Sequence, residues 1–236
     1  MSLFRIVGKN PILWFYQSLR RCGLGQTLMI IWTIIGDVWF DFRYGTDTLR
    51  RVPRTQIETD SENKVYATGS GSTKVIPFLG LMRRINLPAD SVFLDLGSGK
   101  GRVVMLAAKC GFRKVIGVDF SRTLCEKARA NLQKFLRKCQ SRALTSIVES
   151  DVTTYQLADD ETVFFMYDPF NPPVLTQVLR NIRASLERRP RPIWLIYSVP
   201  RERQIVDQCG VFSKTERHVV AGSEFLVYSN EPASAV

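Results

Sequence analysis

The chain has 236 residues, 45% of them hydrophobic and 23% charged, with a formal net charge of +11. That size suits one α/β domain plus an appendage, and it needs neither disulfides nor a metal to hold a core. Five cysteines with no Cys-x-x-Cys pair, and a single histidine at position 218, exclude a Cys/His zinc site and point to reduced thiols in a reducing compartment, so no bound metal is expected.

The excess charge is concentrated in two places. Residues 121–142 hold seven Lys/Arg against one acid, and residues 180–203 hold seven against two, which leaves the remainder neutral. In chain order, residues 1–45 read as two helical segments broken near Gly23 and Gly25. The uncharged stretch from Cys22 to Gly36 is about 15 residues, short of the roughly 20 that span a bilayer. The expected arrangement is an ordinary helix buried on the following domain. Trp14, Phe15, Tyr16, Trp32 and Trp39, with Arg20 and Arg21 between them, would equally suit an interfacial helix, so peripheral membrane contact through residues 1–42 stays open. Residues 46–65 are polar and contain Pro53, as a surface connection would. The predicted division is an N-terminal helical extension and linker over 1–65 and the main domain over 66–236.

After the flexible entry at 66–72, a helix is predicted from Thr73 to Ile85, with Val75, Ile76, Leu79 and Met82 on one face. A short apolar strand, Val92–Leu96, leads into Gly97-Ser98-Gly99-Lys100-Gly101. Residues 101–110 read as a helix closed by Gly111, and Val115–Asp119 as a second strand. Ser121 can cap a long helix to about Cys139, with Leu124, Ala128, Leu132, Phe135 and Leu136 as its apolar stripe. Thr145–Val148 and the almost wholly apolar Thr162–Tyr167 are further strands. A helix with proline in its first turn fills 173–186, Ile193–Ser198 is the fifth strand, and residues 218–228 form a terminal hairpin turning at Gly222-Ser223. His218 on that hairpin is a structural residue. Alternating strands and helices predict an α/β fold: a Rossmann-like, seven-stranded, mostly parallel sheet with helices on both faces and an antiparallel C-terminal hairpin.

Ligands of such sheets bind beyond the carboxyl ends of the strands, where glycines let backbone approach closely. Three ligand classes use loops of this kind. A dinucleotide fingerprint, G-x-G-x-x-G, fails because Arg102 occupies the third glycine position. A phosphate-binding G-x-x-x-x-G-K-[ST] fails because Leu94 and Gly101 stand where a glycine and a hydroxyl residue are needed.

The remaining pattern, D-x-G-x-G-x-G from Asp95 to Gly101, resembles the first motif of the class I S-adenosylmethionine-dependent methyltransferases, and the likeness extends over roughly residues 66–229. It implies that Gly97, Ser98, Gly99 and Gly101 leave room for the methionine part of S-adenosyl-L-methionine (the product being S-adenosyl-L-homocysteine), while Asp95 fixes its amino group. Lys100 and Arg102 are then outward or structural. An acid about 20 residues past a glycine loop can take ribose hydroxyls, which makes Asp119 the candidate, beside Phe120 and Ser121. By the same resemblance Asp151 meets the adenine amino group and the Val152 N–H a ring nitrogen. Asp168-Pro169-Phe170 is similar to the element with which nitrogen-methylating enzymes hold an amino group, so these three are the catalytic candidates, with Asp168 also beside the cofactor. Bacterial methyltransferases of uncertain substrate are similar over 92–229 and in the Tyr44–Thr48 stretch. The non-SET lysine methyltransferases are distantly similar. In the family, residues like Tyr66, Thr68 and Gly69 close over the cofactor.

The resemblance implies an enzyme that methylates an amine on a protein lysine or a small molecule, and the reduced thiols suit a cytoplasmic location, with membrane association open. A nucleic-acid methyltransferase and a non-catalytic cofactor-binding protein are the alternatives. The topology disfavours nucleic acid, because most of the arginines fall on outer faces and only Arg201 and Arg203 return to the end of the sheet where ligands bind.

Overall fold

The computed structural model describes residues 10–50, 52, 72–167 and 170–230. Seven strands make one sheet in the order β3-β2-β1-β4-β5-β7-β6. β1 (Val92–Leu96), β2 (Lys114–Asp119), β3 (Leu144–Glu149), β4 (Glu161–Tyr167) and β5 (Trp194–Ser198) run parallel. β6 (Lys214–Val220) and β7 (Ser223–Ser229) form the antiparallel hairpin, with β7 lying against β5. Strand order reverses between β1 and β4, which is where a ligand crevice opens in such sheets. The hairpin turns at Ala221-Gly222, one residue earlier than expected. Both residues have positive φ, 45° and 77°, as a two-residue type I′ turn demands.

Each face of the sheet carries its own apolar layer. Phe93, Val115, Phe165 and Ile196 point to one side, where α1 (Pro11–Tyr44), α2 (Val75–Met82), α3 (Arg102–Ala107) and α4 (Arg122–Leu136) cover them. Leu94, Val118, Phe164, Met166 and Leu195 point to the other, under α5 (Pro172–Arg188) and α6 (Arg203–Gln208). Ser121 and Asn171 cap α4 and α5 by accepting the N–H of Leu124 and Val174. The one-turn-and-a-half α6 has no sequence signal of its own beyond Val206, its single buried residue.

α1 bends at Gly23, whose φ of 77° and ψ of 172° no ordinary helical residue adopts. Its second half does not dock as an apolar helix should. Thr27, Thr33, Ile34, Asp37, Phe40, Asp41 and Tyr44 are buried against the domain, while Leu24, Leu28, Trp32, Ile35, Trp39 and Phe42 are 50–83% exposed. The expectation of an ordinary buried helix is therefore corrected: the face bearing two aspartates is the one that packs. The reason lies in the partners. Arg102 and Lys74 neutralise Asp37, and Thr46 and Thr48 hydrogen-bond Asp41, so the polar face has matched groups waiting for it.

Candidate active site

The glycine loop leaves β1 and folds over the end of β2. The N–H groups of Gly97 and Ser98 both donate to the Val118 carbonyl at 2.9 Å, and Gly99 N–H donates to Asp119 Oδ2 at 2.9 Å. Gly97, Gly99 and Gly101 all have positive φ, between 54° and 80°, which is why glycine recurs at every second position. A less obvious glycine makes the fold-over fit. A Cβ on Gly117 of β2 would lie 2.6 Å from Val104 and 2.8 Å from Ser98. Ser98 is thus part of the loop, but its hydroxyl packs against β2.

Asp119 braces two loops at once. Its second oxygen accepts the Ser121 N–H at 2.9 Å. Burial raises its pKa to about 6, against the lowering effect of these two backbone donors. Asp95, on the neighbouring strand, is 3% exposed, and among the described residues no hydrogen-bond donor reaches its carboxylate. Burial, and secondarily the charge of Asp119, hold its pKa well above the carboxylate range. Two adjacent buried acids, with no basic residue against them among the described residues, suit a ligand that brings hydroxyls and positive charge.

Lys100 and Arg102, which could have served a phosphate, are both turned behind the loop. Lys100 Nζ donates to the Asp47 carbonyl at 2.8 Å. Arg102 is 3% exposed and pairs with Asp37 at 3.1 Å; burial lowers its pKa, and Asp37 and Asp41 oppose that shift. Neither residue is outward: both are structural, and together with Asn131, which bonds Asp47 and the Lys100 carbonyl, they tie Tyr44–Thr48 to the root of the loop. This donor set fits S-adenosylmethionine, a sulfonium with an amino group and ribose hydroxyls, and does not fit a nucleotide phosphate. Asp95 would hold the amino group and Asp119 the ribose. The group supplies an electrophilic methyl on sulfur.

Phe120 packs with Val52 and Leu124 beside Asp119. Asp151, at the end of β3, binds its own turn: the Thr153 N–H and hydroxyl donate to Oδ1 at 2.8 and 2.7 Å. Val152 lies half-buried against the second apolar layer. These residues, with Ser121 and the glycine loop, gather at the carboxyl ends of β1, β2 and β3. Tyr66, Thr68, Gly69, Asp168 and Pro169 lie outside the described residues. Phe170 packs against the α5 side of the core.

Beyond the ends of β4 and β5 a cavity of about 410 Å³ opens between Tyr167, Ser198, Val199, Lys74 and the Gly222–Phe225 stretch, with Arg201 and Arg203 on its border. Sequence reasoning names the two arginines and Tyr167's neighbours but not Lys74, Ser198, Val199 or Glu224. The rule that ligands sit beyond strand ends would reach Ser198 and Val199, whereas Lys74 and Glu224 arrive from elsewhere in the chain. Val199 has a φ of 53°, a conformation a β-branched residue rarely adopts, and it turns the chain sharply at the cavity wall.

Residues 93–189 match a family model described as a methyltransferase domain. No curated protein matches the chain in sequence. Among solved structures, one assigned as an S-adenosyl-L-methionine-dependent methyltransferase from Methanococcus maripaludis superposes with a TM-score of 0.51 at 15% identity, covering 69% of this chain and 88% of that one. An RNA methyltransferase from Salinibacter ruber in complex with S-adenosyl-L-homocysteine has a TM-score of 0.46 at 21% identity, over 70% of this chain and 97% of its own. A ribosomal protein L11 methylase from Lactobacillus delbrueckii has 0.49 at 14%, over 67% and 79%. Residues 93–189 are thus matched as a methyltransferase domain, and the sheet around them has the Rossmann-like fold of the Methanococcus structure.

Proposed function

We propose that the acceptor is an amine nitrogen, on a protein lysine or a small molecule. The observation that carries this reading is the cavity at the end of β4: Tyr167 lines it, and the next residues in the chain are Asp168-Pro169-Phe170. A carboxylate that follows such a strand in sequence can orient an amine and take the proton it sheds. Transfer from a sulfonium is mainly a matter of in-line placement, so a histidine base is not required. The reading is tested by incubating the purified chain with methyl-labelled cofactor and a panel of lysine-containing proteins, peptides and small amines. Methylated amine identified by mass spectrometry is the expected result, and Asp168→Ala should lower kcat by about 100-fold or more. Label found only on oxygen or carbon would overturn it.

A second reading, methylation of nucleic acid, is favoured by one observation: Arg201 and Arg203 border the same cavity. It predicts binding to RNA or DNA that weakens steeply with salt, because phosphate contacts release counterions. No binding at low salt would dismiss it.

A further inference from the structure

We infer that the exposed face of α1 is a docking surface for an anionic lipid bilayer, on which the helix lies flat. Ile12–Tyr44 is long and apolar enough to cross a membrane, yet only 28% of its most apolar stretch is buried within the protein. A core helix would be largely covered. Instead Leu24, Leu28, Trp32, Ile35, Trp39 and Phe42 recur at intervals of three and four along the outer side. That spacing makes one continuous stripe about 27 Å long at 1.5 Å per residue.

The opposite side of the same helix fixes its orientation. Asp37 and Asp41 are locked to Arg102 and to Thr46 and Thr48, and Phe40 and Tyr44 stack with Phe135 in the core. The second half of α1 therefore cannot leave the folded domain to stand upright in a bilayer. It can only enter the interface sideways, to the depth of its exposed side chains. Tryptophan is the residue suited to that depth, with an apolar ring and one N–H for the headgroup layer.

Charge selects the partner. Arg20, Arg21 and Arg43 are exposed on α1, and among its described residues both acids are buried. The solvent side of the helix is thus purely basic at its ends and uncharged from Cys22 to Gly36. Negatively charged headgroups complement that pattern. A second copy of the chain fits it less well: a seam between two such helices would bring like charges together at its ends and would lack the polar rim that borders interfaces between soluble proteins.

In this pose the helix on the lipid also touches the wall of the cavity proposed for the acceptor. Lys74, on the cavity wall, pairs with Asp37 of α1 at 3.0 Å. A Cβ on Gly222, also on that wall, would lie 3.5 Å from Met29 Sδ of the same helix. The helix that meets the bilayer therefore packs against two residues of the cavity wall.

The experiment is flotation of the full chain with vesicles of phosphatidylcholine alone and of phosphatidylcholine with about one-third phosphatidylglycerol, at low and high salt, with sedimentation of the lipid-free protein alongside. The expected result is capture by the anionic vesicles, weakened by salt, and quenching of tryptophan emission by lipids brominated on the acyl chain. The Trp32→Glu/Trp39→Glu variant should lose capture at least tenfold while binding S-adenosylhomocysteine as the parent does, which shows that it folds. Arg20→Glu/Arg21→Glu should lose the preference for anionic lipid. The inference is overturned if neither vesicle captures the parent, or if the parent is a dimer that the tryptophan variant dissociates. None of these readouts depends on the acceptor, so this inference and the amine reading fail separately.

Discussion

Asp37 of α1 and Arg102 of α3 form an ion pair of 3.1 Å in which both side chains are almost wholly buried, at 1% and 3% exposure. Arg102 is the residue directly after Gly101, so the pair joins the N-terminal helix to the end of the cofactor loop. Arg102 also donates to the Thr48 hydroxyl at 2.7 Å and to the Thr73 carbonyl at 3.3 Å. A charge taken out of water in this way is tolerated only while its partners stay in place.

Removing the acid should therefore cost far more than a surface ion pair would. Asp37→Ala leaves Arg102 with Asp41 at 3.8 Å as its remaining carboxylate and strips the Val75 N–H of its 2.8 Å acceptor. A loss of about 3–5 kcal/mol is expected, seen as a fall in Tm of roughly 6 °C or more in a domain of this size. Asp160→Ala serves as the comparison. In its 2.8 Å pair with Arg113 the two side chains are 41% and 47% exposed, so its change should stay within about 1 kcal/mol. Thermal unfolding of the two variants side by side checks both expectations.

The position of Arg102 marks how far the sequence could be read. The loop, the acids at 95 and 119 and every strand of the sheet are local signals: a glycine spacing, a charged residue ending an apolar run, a period of two. Lys100 and Arg102 carry no such signal, because what decides their direction is the end of a helix and the turn after it, 53 to 65 positions earlier in the chain. The same is true of α1. Hydropathy identifies it as apolar but not which side docks, and the outcome is set by Arg102 and Lys74 receiving its aspartates. Gly117 is a third case. It lies mid-strand, where glycine usually weakens pairing, and its purpose is visible only once Ser98 is seen to fold back over it.

Gly117→Ala tests that purpose. The new methyl would sit 2.6–2.8 Å from Val104 and Ser98, closer than real contacts allow, so the cofactor loop must shift. The expected cost is about 1–3 kcal/mol of stability. Affinity for S-adenosylhomocysteine should fall at least tenfold, because the loop that moves is the one that frames the cofactor. Calorimetry separates this from simple destabilisation: at a temperature where the variant is fully folded, unchanged affinity would show that the loop does not depend on Gly117.

The raised pKa of Asp119 gives the protein two opposite pH responses. In the unliganded protein its folded pKa of about 6 exceeds the ordinary aspartate value of 3.8. Between those values the native state holds the proton more tightly than the unfolded chain. Stability is therefore highest below the unfolded pKa and declines as pH rises to about 6, by on the order of 3 kcal/mol for this group alone. Asp95 shifts in the same direction. Cofactor binding runs the other way, since an ionised carboxylate is the stronger acceptor for ribose hydroxyls. Affinity for S-adenosylhomocysteine should rise from pH 5 and level off above about 6.5. Asp119→Asn should flatten that rise and weaken binding throughout. Urea unfolding and calorimetry over pH 5–7.5 follow the two responses independently.

Val199 concerns the cavity proposed for the acceptor. Its φ of 53° places a β-branched side chain where glycine is the natural occupant, at the wall of the cavity beyond β5. Backbone held in such a region costs about 1–3 kcal/mol and persists only where its surroundings enforce it. Here the enforcing contacts are the Val199 N–H to the Glu224 carbonyl at 3.4 Å, the Arg201 N–H to the Val199 carbonyl at 2.9 Å, and Pro200 next in the chain. Val199→Gly relieves the strain without disturbing either bond, so Tm should rise by roughly 2–4 °C. The glycine also frees the segment that carries Arg201 towards the cavity. Affinity for S-adenosylhomocysteine should stay unchanged while KM for the acceptor increases, because the cofactor acids stand on β1 and β2 and only the acceptor side meets β5. A fall in Tm would show instead that the valine side chain contributes more than its backbone costs.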